Sequence, residues 1–362
     1  MSSDTPAHQK TEPQTAALDG IRVLDLTRLL PGALATQWLA DFGAEVIKVE
    51  QPGVGDYARE THAGVFESIN RGKKSVEIDL KNPTGTAAFR RLAALADIVI
   101  EGFRPDVMDR LGVGFEVLRA ENPRLIYCAL TGYGPDGEYA ALAGHDINYL
   151  ALSGVLDLMG EGEGPPVLAG IQIADIAGGS MQAVIGILLA LEARHRTGGG
   201  QRVDVSMFAG SAALMTVPLA GLKSGQLSQR GNDRLSGRYA CYQIYPAAEG
   251  PYVAVGALEP KFWQNLCREL GLEDLIADQY APAPRQLEIK VALARKFAEA
   301  TAEEWFARIG RKDCCVTPVR SLKDAIRDYP SRAIPPLSET PGRRYDDGER
   351  APHLGEHNGE LL

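Results

Sequence analysis

The sequence predicts an α/β protein: a large part built on a doubly wound parallel sheet, and a smaller α/β domain after it. Three observations predict this. Between residues 18 and 130, short apolar runs alternate with amphipathic stretches over short connections, the pattern of strands joined by crossover helices. Residues 224–236 are rich in Ser, Gln, Asn and Gly and break that pattern, which marks a domain boundary. The 362 residues, 45% hydrophobic and 23% charged, suit two domains or one large one, with ample material for a core.

In chain order, residues 1–17 carry Ser, Thr, Pro, Gln and Ala without an apolar run and read as a disordered tail. Residues 21–26 read as a buried strand and 31–41 as a helix, with Pro31 suited to its first turn. Strands follow at 46–50, 75–80, 98–100 and 125–130, with helices at 83–96 and 107–111 between them. A glycine-rich turn at 198–201 lacks the Lys-Ser/Thr of a phosphate-binding loop and reads as a helix end before a strand at 202–205. The large domain thus spans 18–206, and 207–236 is an apolar helix (207–222) plus linker. The small domain, 237–330, holds a hairpin (242–245 with 252–255) and helices at 260–270, 286–299 and 302–310. Residues 331–362 are rich in Pro and Gly.

Parallel sheets bind ligands at the carboxyl ends of their strands. No Gly-x-Gly-x-x-Gly follows the first strand, which speaks against a nicotinamide cofactor. Basic residues gather near the strand ends, in Arg71-Gly72-Lys73-Lys74, in Phe103-Arg104-Pro105 and at Arg110. They read either as solvated surface charge or, together, as a set able to hold phosphates.

Two stretches carry candidate chemistry. Gly144-His145-Asp146-Ile147-Asn148-Tyr149 and Ala174-Asp175-Ile176-Ala177-Gly178-Gly179 each bring one titratable side chain to the start of an apolar helix. A helix start offers free N–H groups and a positive dipole end, which favour developing negative charge. An imidazole and a carboxylate there form a proton-handling pair around an enolate; a structural histidine and a capping aspartate are the plain alternative. Glu259, between the hairpin and the next helix, reads by itself as a helix N-terminal acid.

Composition excludes several classes. A net charge of −9 speaks against a nucleic-acid partner. The five cysteines have no zinc-like spacing, so free thiols in a reducing compartment and no metal site are expected. No apolar run approaches a membrane span, the N-terminal residues lack a signal-peptide core, and Asp4 and Glu12 oppose a mitochondrial presequence. The carboxyl end is not a peroxisomal tripeptide, and the default compartment is the cytoplasm.

Several stretches together resemble the class III CoA-transferase (CaiB/BaiF-type) family. They are Leu18-Asp19-Gly20-Ile21-Arg22-Val23-Leu24-Asp25-Leu26, Asp41-Phe42-Gly43-Ala44-Glu45-Val46-Ile47-Lys48-Val49-Glu50, Asn70-Arg71-Gly72-Lys73-Lys74-Ser75, Asn122-Pro123-Arg124-Leu125-Ile126-Tyr127 and Ala351-Pro352-His353-Leu354-Gly355-Glu356-His357. The resemblance runs from residue 18 to the end, and the Gly144–Tyr149 stretch is similar to the alpha-methylacyl-CoA racemase branch. It implies an acyl-CoA substrate, no cofactor beyond the CoA of that substrate, and a tail that returns over the large domain. It also implies an interlocked homodimer with sites shared between subunits. Arg71, Lys74, Arg104, Arg110 and Tyr133 are the implied CoA contacts. Gly102 stands where many transferases have Asn, so a pantetheine contact is not carried over there.

For the racemase branch the resemblance implies two-base 1,1-proton transfer by His145 and Asp175. It also implies that Glu259 of a second subunit orients His145, and the backbone N–H of Asp146, at the helix start, is the candidate donor to the enolate oxygen. The alternative is a CoA-transferase of the same fold, with Asp175 as nucleophile and an acyl-anhydride intermediate. His145 and Glu259 separate the two, since a transferase needs neither. A catalytically silent CoA-binding protein is the third reading.

Overall fold

The computed structural model describes residues 16–328 and 349–362. The expected tail lies outside the described residues except for Ala16 and Ala17, and Ala16 is already buried. Of the expected C-terminal segment 331–362, residues 331–348 lie outside them too.

The chain runs β1 (Arg22–Leu26), α1 (Leu29–Asp41), β2 (Glu45–Glu50), α2 (Ala58–Thr61), α3 (Ala63–Asn70), β3 (Lys74–Glu77), α4 (Pro83–Ala94) and β4 (Ile98–Glu101). It continues through α5 (Val107–Arg110), α6 (Phe115–Glu121), β5 (Ile126–Thr131) and α7 (Asp146–Ser153). A π-helical turn (Ala174–Ser180) then leads into α8 (Met181–Thr197), β6 (Arg202–Ser206), α9 (Met207–Ala213) and α10 (Thr216–Lys223). Last come β7 (Tyr242–Pro246), β8 (Tyr252–Gly256), α11 (Pro260–Leu270), α12 (Ala283–Phe297), α13 (Ala302–Ile309), β9 (Val316–Val319), α14 (Leu322–Asp328) and α15 (Asn358–Leu361).

These elements form two compact units. Among the described residues the first comprises 16–155, 169–215 and 349–362, and the second 156–168 and 216–328. The division departs in two places from a cut after residue 206. Residues 156–168 leave the first unit for the second, tied there by Arg230, whose Nη2 donates to Asp157 Oδ1 (2.6 Å). The single helix expected over 207–222 is broken into α9 and α10, and the unit boundary falls at that break.

The first unit holds a six-stranded sheet in the order β3-β2-β1-β4-β5-β6, every neighbour parallel. Both faces are covered, so strands such as β4 and β5 are buried along their whole length. The order reverses between β1 and β4, so the carboxyl ends of these two strands flank the crevice where doubly wound sheets take ligands. Beneath the end of β1 lies a buried ionic cluster. Lys73 Nζ is 3.2 Å from Asp25 Oδ2, and Lys48 Nζ is 3.0 Å from Asp56 Oδ2. Its polar atoms hold the loop after β1: Lys48 donates to the Thr27 carbonyl (3.0 Å), and the Leu29 N–H donates to Asp56 Oδ1 (3.0 Å). That grip keeps Leu29 in the left-handed region (φ 59°), a conformation that costs a side-chain-bearing residue about 1–2 kcal/mol. The C-terminal residues lie along β3, with the Gly72 N–H donating to the Arg350 carbonyl and the His357 N–H to the Ser75 carbonyl.

With the π-turn attached, α8 becomes part of a 24-residue helical stretch, Ala174–Thr197. That is longer than the apolar run anticipated from sequence, and long and apolar enough for a span by length and composition alone. Half of its most apolar 18-residue window is buried within the protein.

The second unit has an antiparallel sheet β7-β8-β9 whose core is built on Trp263, Phe297 and Trp305. The strand β9 extends the expected hairpin to three strands.

Candidate active site

The loop after β5 and the helix α7 present His145. Glycine is required on the way: a Cβ on Gly144 would lie 2.7 Å from the Tyr133 hydroxyl, and one on Gly132 2.6 Å from Tyr149 Cε1. The Tyr149 hydroxyl donates to the Gly144 carbonyl (2.6 Å), and its ring meets Tyr133 edge-on with centroids 5.0 Å apart. His145 is the residue before α7, with extended backbone, and its N–H donates to Asn148 Oδ1 (3.0 Å). The imidazole is exposed, while the amides of Asp146 and Ile147 are first-turn donors with no intrahelical acceptor. The helix ends at Gly154, whose φ of 85° suits glycine.

Asp175 lies in the first turn of the π-helical stretch, and its N–H donates to Asp146 Oδ1 (2.9 Å). One hydrogen bond therefore ties the two sequence-predicted stretches together. Burial pushes the Asp175 carboxyl up to about 6; the Asp146 charge adds to the rise, and His145 pulls against it. The same crowding acts on Tyr149, pushed up to about 12 by burial first and the Asp175 charge next. The first unit thus brings together His145, Asp146 and Asp175. What the arrangement offers chemically is an exposed imidazole, a half-buried carboxyl poised to gain or lose a proton near pH 6, and helix-start amides.

Two cavities open along the carboxyl edge of the sheet. One, of about 220 Å³, runs between Thr27, Gly102, Arg104, Tyr133, Gly144 and Tyr149. The other, of about 480 Å³, is lined by Gln51, Tyr57, Ile78, Lys81, Phe103 and Arg110. Arg28 lines both. Its guanidinium lies over the Tyr57 ring (4.9 Å) and near the Phe103 ring (5.6 Å) and donates to the Tyr57 hydroxyl (2.8 Å). Arg28, Arg104 and Arg110 have no acidic partner among the described residues, so their charge is available to an anionic ligand.

The predicted basic set is divided by the structure. Arg104, Arg110 and Tyr133 line the two cavities. Arg71 does not: it is buried, with Nη2 2.6 Å from Asp41 Oδ1 and Nη1 2.5 Å from the Ser68 carbonyl. Lys74 does not either. It begins β3, away from the strand's carboxyl end, and is held by Glu45 (3.0 Å) and Glu360 (2.5 Å). A run of basic residues in sequence does not reveal which edge of the sheet each one reaches. Arg28, Tyr57 and Lys81 went unread from sequence. The signal that finds Arg28 and Lys81 is a basic residue within a few positions after a predicted strand end.

Glu259 belongs to the second unit, as the residue before α11. It is exposed and lines a cavity of about 1390 Å³ with Arg234, Arg238, Tyr239, Leu258 and Tyr280. Its approach is fixed from behind, since Gln279 Nε2 donates to the carbonyls of Ala257 (3.1 Å) and Leu258 (2.8 Å) and the Tyr280 hydroxyl donates to Leu258.

The chain is 39% identical to the alpha-methylacyl-CoA racemase of Homo sapiens, over 96% of this chain and 92% of that protein. It is 33% identical to the succinyl-CoA:glutarate CoA-transferase of Mus musculus, over 86% of this chain and 74% of that one. Among solved structures, the Rv3272 protein of Mycobacterium tuberculosis superposes with a TM-score of 0.83 at 33% identity, covering 97% of this chain and 100% of that one. A CaiB/BaiF family protein from Brucella suis superposes at 0.81 and 31%, covering 96% and 100%. The family model described as CoA-transferase family III matches residues 18–334, and the chain belongs to that family.

Proposed function

We propose that the protein is an alpha-methylacyl-CoA racemase, interconverting the (R) and (S) epimers of 2-methylacyl-CoA thioesters by two-base 1,1-proton transfer. The observation that carries this reading is the pairing of His145 with a carboxyl, Asp175, pushed up to about 6 and tied through its own amide to Asp146. General bases work best with a pKa near the operating pH, and a buried carboxyl at that value is a far better base than an exposed one. The racemase relative supports the same reading.

In the forward step the Cα–H bond breaks and its proton passes to one of the two bases. The electron pair moves into the C–C bond, and the thioester oxygen takes the negative charge. The Asp146 N–H, at the positive end of α7, is the donor for that oxygen. The opposite base then returns a proton to the other face of Cα, and the carbonyl re-forms. No redox step or cofactor beyond the substrate's own CoA takes part. The CoA nucleotide is assigned to the 480 Å³ cavity, with Arg28, Lys81 and Arg110 toward its phosphates, and the pantetheine arm to the narrower one. Glu259 is assigned to His145 of a partner subunit in a homodimer, holding the imidazole in a productive tautomer.

The alternative is a CoA-transferase in which Asp175 attacks the thioester; the transferase relative favours it. One experiment separates them. A single epimer of a 2-methylacyl-CoA is incubated with the protein and no acceptor acid, then analysed on a chiral phase. The racemase reading predicts an approach to a near-equal mixture. An unchanged epimer, together with CoA transfer once a carboxylate acceptor is added, would replace it with the transferase reading.

A further inference from the structure

Asp175 is not carried by an ordinary helix end. Residues Ala174–Ser180 form a π-helical stretch that passes directly into α8. Such wide turns are rare, and they concentrate at functional sites. An isolated one reverts to the tighter α spacing unless its surroundings hold it open. Two contacts do so here.

The first is a close approach of two backbones. A Cβ on Gly178 would lie 2.7 Å from the Met207 carbonyl oxygen, and one on Gly210 only 2.0 Å from the Gly178 carbonyl oxygen. The second is Ser180. It is fully buried, and its hydroxyl lies 2.6 Å from the Pro31 carbonyl, at the start of α1, and 3.1 Å from the carbonyl of Asp175 itself.

We propose that Ser180 is the positioning residue of Asp175: its hydroxyl, shared between the Asp175 and Pro31 carbonyls, keeps the wide turn open and so sets the direction of the Asp175 carboxyl. Asp175 is then held from both sides. Asp146 takes its N–H (2.9 Å), and Ser180 reaches its carbonyl (3.1 Å). Ser180 is shut away from solvent and acts only through Asp175. Removing the hydroxyl leaves the Pro31 carbonyl without that donor and frees the turn to close to α spacing. A one-residue change of register swings a helical side chain by roughly 100°. His145 sits on a different element and does not move with it.

This rests on the racemase reading, and the test exploits the two faces of that reaction. Each epimer in D2O loses its α-proton to a different base, and Asp175→Asn identifies the epimer that depends on Asp175. Exchange of both epimers is then followed by proton NMR in the wild type and in Ser180→Ala. The expected result is a fall of roughly 10- to 100-fold in exchange of the Asp175-dependent epimer, with KM unchanged and exchange of the other epimer within about twofold. The retained exchange reports that the variant is folded. Ser180→Cys, which keeps a weaker donor, is expected to fall between, and it carries the same comparison if the alanine variant does not fold. An equal fall for both epimers, or no fall for either, overturns the proposal. A wild type that exchanges neither epimer instead brings down the racemase reading on which it stands.

Discussion

At Asp175 the burial that raises the carboxyl also works against the fold. Its carboxyl is pushed from 3.8 to about 6 by burial, with the Asp146 charge adding and His145 opposing. A carboxyl raised on folding leaves stability intact below its unfolded value and erodes it as pH rises through the folded value. Asp175→Asn removes that loss, so this variant is expected to be more stable than the wild type by about 1–3 kcal/mol at pH 7.5 and no more stable at pH 3.5. Urea unfolding at the two pH values checks it. Catalysis should move the other way, with the Asp175-dependent exchange rate rising with pH through about 6 and then levelling. Arg28 touches both cavities, and Arg28→Ala is expected to raise KM for acyl-CoA roughly tenfold with kcat little changed, as expected for lost uniform binding. Steady-state kinetics decide it. His145, Asp146 and Asp175 were legible because each precedes or opens an apolar helix, where a titratable side chain stands out against the pattern. Arg71 and Lys74 do not join Arg104 and Arg110 at the cavities, because adjacent basic residues in sequence diverge in space, one into Asp41 and the other toward Glu45 and Glu360.

Among the elements, strands are the best predicted and the helix that carries Asp175 the least. Apolar runs with short connections place β1, β2, β4, β5 and β6 to within one residue at each end, while β3 ends at Glu77, three residues short of the expected 75–80. The π-turn left no such trace, since Gly178-Gly179-Ser180 reads simply as the start of the helix at Met181. Its glycines are explained by packing. Gly210→Ala places a methyl 2.0 Å from the Gly178 carbonyl oxygen, backbone that cannot swing aside as a side chain does. A loss of about 1–3 kcal/mol is expected, read as a lower urea midpoint. The break between α9 and α10 was also invisible, because apolar residues continue across it.

Over the whole molecule, the sequence pattern revealed a doubly wound sheet but not how the chain divides around it. Residues 156–168 lie between two stretches of the first unit in sequence yet fall in the second, because that division follows long-range contacts rather than local pattern. The charged cluster under β1 was likewise unreadable, since Asp25, Lys48, Asp56 and Lys73 lie on separate segments. Burial opposes ionisation of Asp25, yet Lys48 and Lys73 outweigh it and hold the carboxyl down at about 2. Lys48→Met leaves Asp25 and Asp56 short of a buried cation and frees the Thr27–Leu29 loop. A loss of about 3–5 kcal/mol is expected, together with a raised KM from the displaced Arg28. Thermal unfolding and steady-state kinetics on the same preparation test both.

In the proposed mechanism His145 and Asp175 serve opposite faces of one substrate carbon. Its most direct test is proton NMR of each 2-methylacyl-CoA epimer in D2O, without acceptor acid, for the wild type, His145→Ala and Asp175→Asn. The wild type is expected to exchange and invert both epimers. Each variant should keep exchange of one epimer only, without inversion, and the two variants should keep opposite epimers. Exchange unchanged in His145→Ala and abolished in Asp175→Asn would contradict this mechanism and leave Asp175 acting alone.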